Sequence, residues 1–121
     1  MYKDGKNILP MAKNIEAIKN ELTRAAIEAI NEQDRNAWYS AFSEDAKLFD
    51  EGTERDFRRW SDNEIFGSDP SWIISILKVE REGLTVYCKF HSGVWGEFKI
   101  YMNFTIMGNR IARLDTGLVN Y

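Results

Sequence analysis

The chain has 121 residues, 44% hydrophobic, 13% aromatic and 29% charged, the profile of one soluble globular domain rather than a repeat array, a disordered tail or a multidomain enzyme. Sixteen Lys and Arg against nineteen Asp and Glu leave a net charge of -3, which argues against a general nucleic-acid binder and against a membrane-surface binder. One His and one Cys leave almost no zinc ligands, and no metal or other cofactor is expected.

At this length folding buries roughly two-thirds of the unfolded chain's surface, so a core with room for a pocket forms without disulfides. Cys88 has no second cysteine to pair with, which fits a reducing cytoplasm. Met1 to Asn14 mixes Lys3, Asp4, Lys6 and Lys13 with Ile8, Leu9 and Met11 and lacks a signal-peptide apolar core. It reads as an N-terminal extension, residues 1–14, ahead of a single domain over 15–121. The densest apolar stretch, Trp72 to Leu77, contains Ser75 and soon meets charges, so no membrane span is expected.

Ile15, Ile18, Leu22, Ala25, Ala26, Ala29 and Ile30 recur at helical spacing and predict one long amphipathic helix over 15–32. Asp34 stands before Ala37, Trp38, Ala41 and Phe42 as the N-cap of a short second helix ending near Ser43, so the two form a hairpin. Ala46 to Asp50 reads as a short strand closed by Glu51-Gly52, after which Thr53 is expected to cap a third helix carrying Phe57, Trp60, Ile65 and Phe66. Gly67 to Pro70 end it.

From Ser71 the period changes to two, and four strands follow, separated by turn signals at Glu82-Gly83, Ser92-Gly93 and Gly108-Asn109. Alternation places Leu84, Val86, Cys88 and Phe90 on one face and Thr85, Tyr87, Lys89 and His91 on the other. The next strand sets Val94, Phe98, Ile100, Met102, Phe104 and Ile106 against Trp95, Glu97, Lys99, Tyr101, Asn103 and Thr105, with Gly96 on the apolar face as a bulge signal. The last sets Ala112, Leu114, Thr116 and Leu118 against Ile111, Arg113 and Asp115. Helices first and strands second predict an α+β fold: a curved antiparallel sheet wrapped, cone-like, around an N-terminal helical hairpin and a third helix.

Two stretches add a resemblance. Asp34 to Gly52, DRNAWYSAFSEDAKLFDEG, has an Asp opening a helix, an apolar helix, an acidic-Asp-Ala step and then a strand; GNRIARLDTG has a Gly turn before an apolar strand. In this order of elements they resemble the nuclear-transport-factor-2-like superfamily, which includes ketosteroid isomerase, scytalone dehydratase and the SnoaL-like polyketide cyclases. The likeness covers about residues 15–121. It implies a cone-shaped sheet with a deep pocket, and commonly a dimer through the sheet's outer face. Asp50 matches the position of the isomerase's general base, whereas Ala26 and Met102 stand where that enzyme has its Tyr and protonated Asp oxyanion donors. Nothing here matches scytalone dehydratase's histidines, because His91 is the only one and alternation turns it outward.

Asp50, in LFDEG between a strand and a turn, is therefore the expected catalytic carboxylate; facing an apolar cone, its charged form is disfavoured. The structural alternative is a cap, or an ion pair with Arg55, Arg58 or Arg59. The expected pocket is lined by Leu48, Val86, Cys88, Phe90, Met102, Phe104, Leu114 and Leu118, with Tyr39, Trp60 and Thr116 as hydrogen-bonders. Cys88 and His91 point to opposite faces and form no nucleophile-base pair. The acidic run Glu44, Asp45, Asp50, Glu51, Glu54 and Asp56 lacks calcium-loop spacing, and Gly93-Val94-Trp95-Gly96 leads into a strand rather than a phosphate-cradling helix. Arg55, Arg58, Arg59 and Trp60 read more simply as surface ion pairing than as an anion site. Tyr87, His91, Trp95, Tyr101 and Asn103 make an outer face suited to a second copy of the chain, unless it is ordinary sheet chemistry. The reading is a small-molecule protein taking an apolar or carbonyl-containing ligand, an isomerase, dehydratase or cyclase if Asp50 is a base. The alternative is a non-catalytic binding or dimerisation module.

Overall fold

Asn20 decides where the first helix begins. In the computed structural model, which describes residues 11–119, its side chain accepts a hydrogen bond from the Thr23 amide at 3.0 Å and caps helix α1, Glu21–Glu32. The expected helix over 15–32 is thus shorter than its apolar stripe. Ile15–Ala17 makes a single 3-10 turn, Ile18 is extended, and the Lys13 backbone donates to Ile74 O at 3.0 Å and accepts from Ile76 N at 2.8 Å. The three-residue spacing of Ile15 and Ile18 suits a 3-10 turn as well as a helix, and both side chains are buried. Of the expected extension, residues 1–10 lie outside the described residues, while Lys13 pairs with the sheet.

Gln33 ends α1 in the left-handed region, and Asp34 accepts from Ala37 N at 3.0 Å to cap α2, Arg35–Ala41. Strand β1, Phe42–Asp50, follows directly and is longer than expected. Glu51 and Gly52 both have positive φ, the geometry of a two-residue hairpin, so the chain folds back as β2, Thr53–Arg55. Thr53 therefore pairs with Asp50 and is not a helix cap. Asp56 caps α3, Phe57–Glu64, by accepting from Arg59 N at 2.9 Å.

Strands β3 (Trp72–Glu80), β4 (Thr85–Ser92), β5 (Gly96–Met107) and β6 (Arg110–Leu118) complete an open six-stranded sheet of order β2-β1-β6-β5-β4-β3. Consecutive strands pair antiparallel from β3 to β6, but β1 lies parallel to β6. The expected purely antiparallel sheet is thus mixed, because β1 arrives from the helical hairpin and joins the free edge of a strand far along the chain. Register shifts in the β3–β4 and β5–β6 ladders add twist. One of them corrects the last strand: Thr105 pairs with Arg113 and Ile106 with Ile111, so Ala112 is the extra residue. Ile111 is buried along with Leu114, where strict alternation separates them.

The helices cover one face of the sheet. Trp38 is buried against Phe42, Phe57 and Phe66, and its indole N–H donates to Ser61 Oγ at 3.0 Å, which satisfies the one polar atom such a residue must bury. Asn31 clamps α1 to β3: its Nδ2 donates to Ile73 O at 2.9 Å, and its Oδ1 accepts from Ile73 N at 2.8 Å. These contacts fix how far α1 and α3 stand from the strands beside them.

Candidate functional site

Where α1 and α3 diverge from the sheet, a cavity of about 270 Å³ remains. Ile30 of α1 and Trp60, Glu64 and Ile65 at α3 form one wall. Phe90 of β4 and Phe98, Ile100 and Met102 of β5 form the other, the β5 residues sharing a face through the period of two. Asp50 and Glu51, with Thr116, Gly117 and Leu118 of β6, close one end, and Trp95 of the β4–β5 loop also lines the opening.

Asp50 is the last residue of β1 and is held from both sides, paired with Thr53 in β2 and Thr116 in β6. Its carboxylate Oδ2 accepts the Trp60 indole N–H at 3.2 Å. Among the described residues no cation lies within ion-pair distance of it, and Oδ1 has no hydrogen-bond partner. Arg58 instead lies over the Tyr39 ring at 4.2 Å, while Arg55 and Arg59 are exposed. The result is a half-buried carboxylate at a cavity wall, oriented by a strand register and one indole.

The surrounding charge has one sign. Among the described residues the lining contains the carboxylates Asp50, Glu51 and Glu64 and no Lys, Arg or His. Glu51 is fixed by its Oε2, which accepts the Leu118 amide. Behind β6, the Tyr101 phenol is pushed up by burial first, and then by the negative charges of Glu51, Asp115 and Asp50. Side-chain hydrogen-bond donors are scarce among the described lining residues: the Trp60 N–H is spent on Asp50, the Thr116 hydroxyl donates to Tyr101 O at 2.8 Å, and the Trp95 indole lies at the exposed opening. Among the described residues no group of three His, Cys, Asp or Glu is placed to hold a metal. Among the described residues no helix is long and apolar enough to cross a membrane.

Of the residues expected in the pocket, Asp50, Trp60, Phe90, Met102, Thr116 and Leu118 line this cavity. Leu48, Val86, Cys88, Phe104 and Leu114 are on the covered face but packed beneath the helices, fully buried and away from the cavity. Burial pushes the Cys88 thiol up to about 12, so it behaves as a small hydrophobe. Tyr39 faces α3, not the cavity. Its hydroxyl donates to Asp62 Oδ1 at 2.8 Å, its ring meets Phe57 edge-on, and burial with the Asp62 carboxylate raises its phenol to about 12. Ala26 is buried in α1, and Met102 brings only a thioether to the wall.

Trp95 departs from its expected place on the outer face. Ser92 pairs with Gly96 across a three-residue loop, and Gly96 has positive φ, so alternation stops before Trp95. The Ser92 hydroxyl accepts from the Val94 and Trp95 amides, and Trp95, 75% exposed, lies at the opening. Three of the other four outer-face residues have partners within the chain: the Tyr87 hydroxyl donates to Glu80, His91 stacks on Trp72 at 4.1 Å, and Asn103 bonds Thr85. Sequence reasoning passed over Ile30, Glu51, Glu64, Ile65 and Gly117 as lining residues. It placed Phe98 and Ile100 on the correct face without assigning them to the pocket.

No protein-family model and no curated protein matches the chain. Solved structures do match its fold. An NTF2-like protein of unknown function from Cytophaga hutchinsonii superposes with a TM-score of 0.66 at 12% identity, covering 92% of this chain and 95% of that one. A candidate polyketide cyclase from Sinorhizobium meliloti superposes at 0.62 with 24% identity, over 78% of this chain and 92% of the other. A protein of ketosteroid isomerase-like fold from Catenulispora acidiphila, in complex with trimethylamine, gives 0.55 and 18% over 80% and 84%. The chain thus has the α+β fold shared by NTF2-like, polyketide cyclase-like and ketosteroid isomerase-like proteins.

Proposed function

We propose that the cavity is a small-molecule site and that Asp50 is its polar contact and general base. The observation that carries this reading is an open, mostly apolar cavity with an unpaired carboxylate oxygen at its wall. A volume of about 270 Å³ favours a ligand smaller than the drug-sized molecules that occupy typical pockets of roughly 300–1,000 Å³. Asp50 Oδ1 takes a proton from a carbon acid beside a carbonyl and returns it elsewhere on the same ligand, the step common to isomerisation, dehydration and cyclisation. The Trp60 N–H holds the carboxylate in place for both transfers. The fold shared with a candidate polyketide cyclase, and the trimethylamine complex of another relative, support small-ligand use of such a cavity.

The scarcity of donors favours a second reading, in which the cavity binds without catalysis, because among the described lining residues the Trp60 N–H and the Thr116 hydroxyl are already engaged, which leaves an enolate oxygen the exposed Trp95 indole at the opening. Mass spectrometry of ligand co-purified with the protein, followed by turnover assays on it, separates the two. Asp50→Asn lowers turnover by about 10²–10⁴-fold if Asp50 is the base; unchanged turnover removes it from that role. For assembly, we extend the proposal to a homodimer through the outer face at Tyr87, His91, Tyr101 and Asn103, without Trp95. In sedimentation Lys99→Glu with Tyr101→Glu shifts dimer to monomer, and a dimer unaffected by both changes uses another surface.

A further inference from the structure

We infer that the ligand of this cavity is an organic cation, an apolar alkylammonium or iminium compound. The inference rests on the cavity being a ligand site and adds the ligand's charge. Among the described residues three carboxylates and no basic residue line the cavity, so an anion entering it gains no counter-charge from them, whereas a cation does. Four aromatic side chains, Trp60, Phe90, Trp95 and Phe98, line the same space, and aromatic rings attract weakly hydrated cations, tryptophan most strongly. The two features act together. Carboxylates alone attract any cation, including well-hydrated metal ions, while aromatic walls select a cation whose charge is spread over alkyl groups. The raised Tyr101 phenol, pushed up in part by Glu51 and Asp50, reports the same negative field from the far side of β6.

A positively charged ligand also removes a difficulty in the proposed proton transfer. When Asp50 takes a proton from the carbon next to a C=N⁺ group, the C–H electron pair becomes a new C=C bond and the former C=N π pair moves to nitrogen. A neutral enamine results, with Asp50 protonated. No oxyanion forms, so the scarcity of donors costs nothing. Where a second C=C bond adjoins the deprotonated carbon the product is a dienamine, and returning the proton to its terminal carbon completes an isomerisation that leaves the C=C bond conjugated with C=N⁺.

The test uses one molecular shape in three charge states: choline, its neutral carbon isostere neopentylcarbinol, and the carboxylate of tert-butylacetic acid. Each is titrated into the millimolar range while the indole N–H signals of Trp60 and Trp95 are followed by NMR. Choline is expected to bind about tenfold more tightly than the neutral isostere, the equivalent of about 1.4 kcal/mol, with the anion weakest. Glu64→Gln and Trp95→Leu, both at exposed positions, should each reduce that preference by about threefold or more. A neutral isostere that binds as well as choline, or a preference unchanged in both variants, overturns the inference while leaving the pocket reading intact. No response to any of the three overturns both.

Discussion

Replacing Asn31 by Ala is expected to loosen the α1–β3 clamp more than the loss of a small polar side chain suggests. Asn31 is 5% exposed, and its amide meets both the N–H and the C=O of Ile73, at 2.8 and 2.9 Å. Alanine leaves two main-chain groups without these partners, at about 1–3 kcal/mol each, so a total loss of about 2–6 kcal/mol is expected. Against the roughly 6–18 kcal/mol ordinary for a chain of this length, that is a large fraction. Urea unfolding with an unchanged m-value reads it directly as a lower midpoint. Asn31→Asp provides a control on the chemistry. The introduced carboxyl can donate to Ile73 O only when protonated, so the folded state holds that proton more tightly than the unfolded chain, whose aspartates titrate near 3.9. Relative to wild type, this variant is most stable below about pH 4 and loses stability as pH rises through its higher folded-state value. A loss below about 1 kcal/mol in Asn31→Ala, together with a pH-independent deficit in Asn31→Asp, refutes the argument from orphaned Ile73 groups.

Two further outcomes follow from local geometry. Gly83 has φ +94, and a Cβ there lies 2.7 Å from Asn20 Cβ, the residue that caps α1; Gly83→Ala should cost about 2–3 kcal/mol or more and lower the thermal midpoint by roughly 10 °C. A midpoint within a degree or two of wild type would remove the close approach as a constraint. The Tyr39 phenol, raised from 10.0 to about 12, stabilises the fold fully below pH 10, and that contribution disappears as pH rises through about 12. Ultraviolet titration should therefore show a tyrosine ionising near pH 12 that vanishes in Tyr39→Phe, and a wild-type curve without it contradicts the assignment.

Much of this architecture is legible in the residues, and the exceptions share a cause. Asp34 accepts from Ala37 N and caps α2 as its place before an apolar helix implies, and β4 and β5 pair in an unshifted ladder that keeps their alternation. Thr53 and Asp56 are both capable caps three residues apart, and only the pairing of Thr53 with Asp50 decides between them. Ile15 and Ile18 satisfy helical spacing, yet main-chain bonds from Lys13 to Ile74 and Ile76 hold that segment on the sheet. Alternation likewise cannot see the extra residue Ala112 or the loop before Gly96. The site divides in the same way. The place of Asp50 at the end of β1 depends on local chain order, whereas inner-face residues separate into cavity wall and packed core according to where the helices come to rest. Val86 and Met102 pair with one another, and only Met102 lines the cavity.

The parallel seam between β1 and β6 makes the site late to assemble. Glu51 accepts the amide of Leu118, 67 positions along the chain, and Asp50 sits beside Thr116 in the same ladder. Until β6 docks, the carboxylate-bearing strand has only the three-residue β2 as a sheet neighbour. Closing so long a loop costs entropy before any contact repays it, so β1 waits as an unpaired edge while the local hairpins of β3 to β6 form first. An exposed edge of that kind can pair with another chain as readily as with its own, and the step that completes the cavity is also the step that ends this exposure.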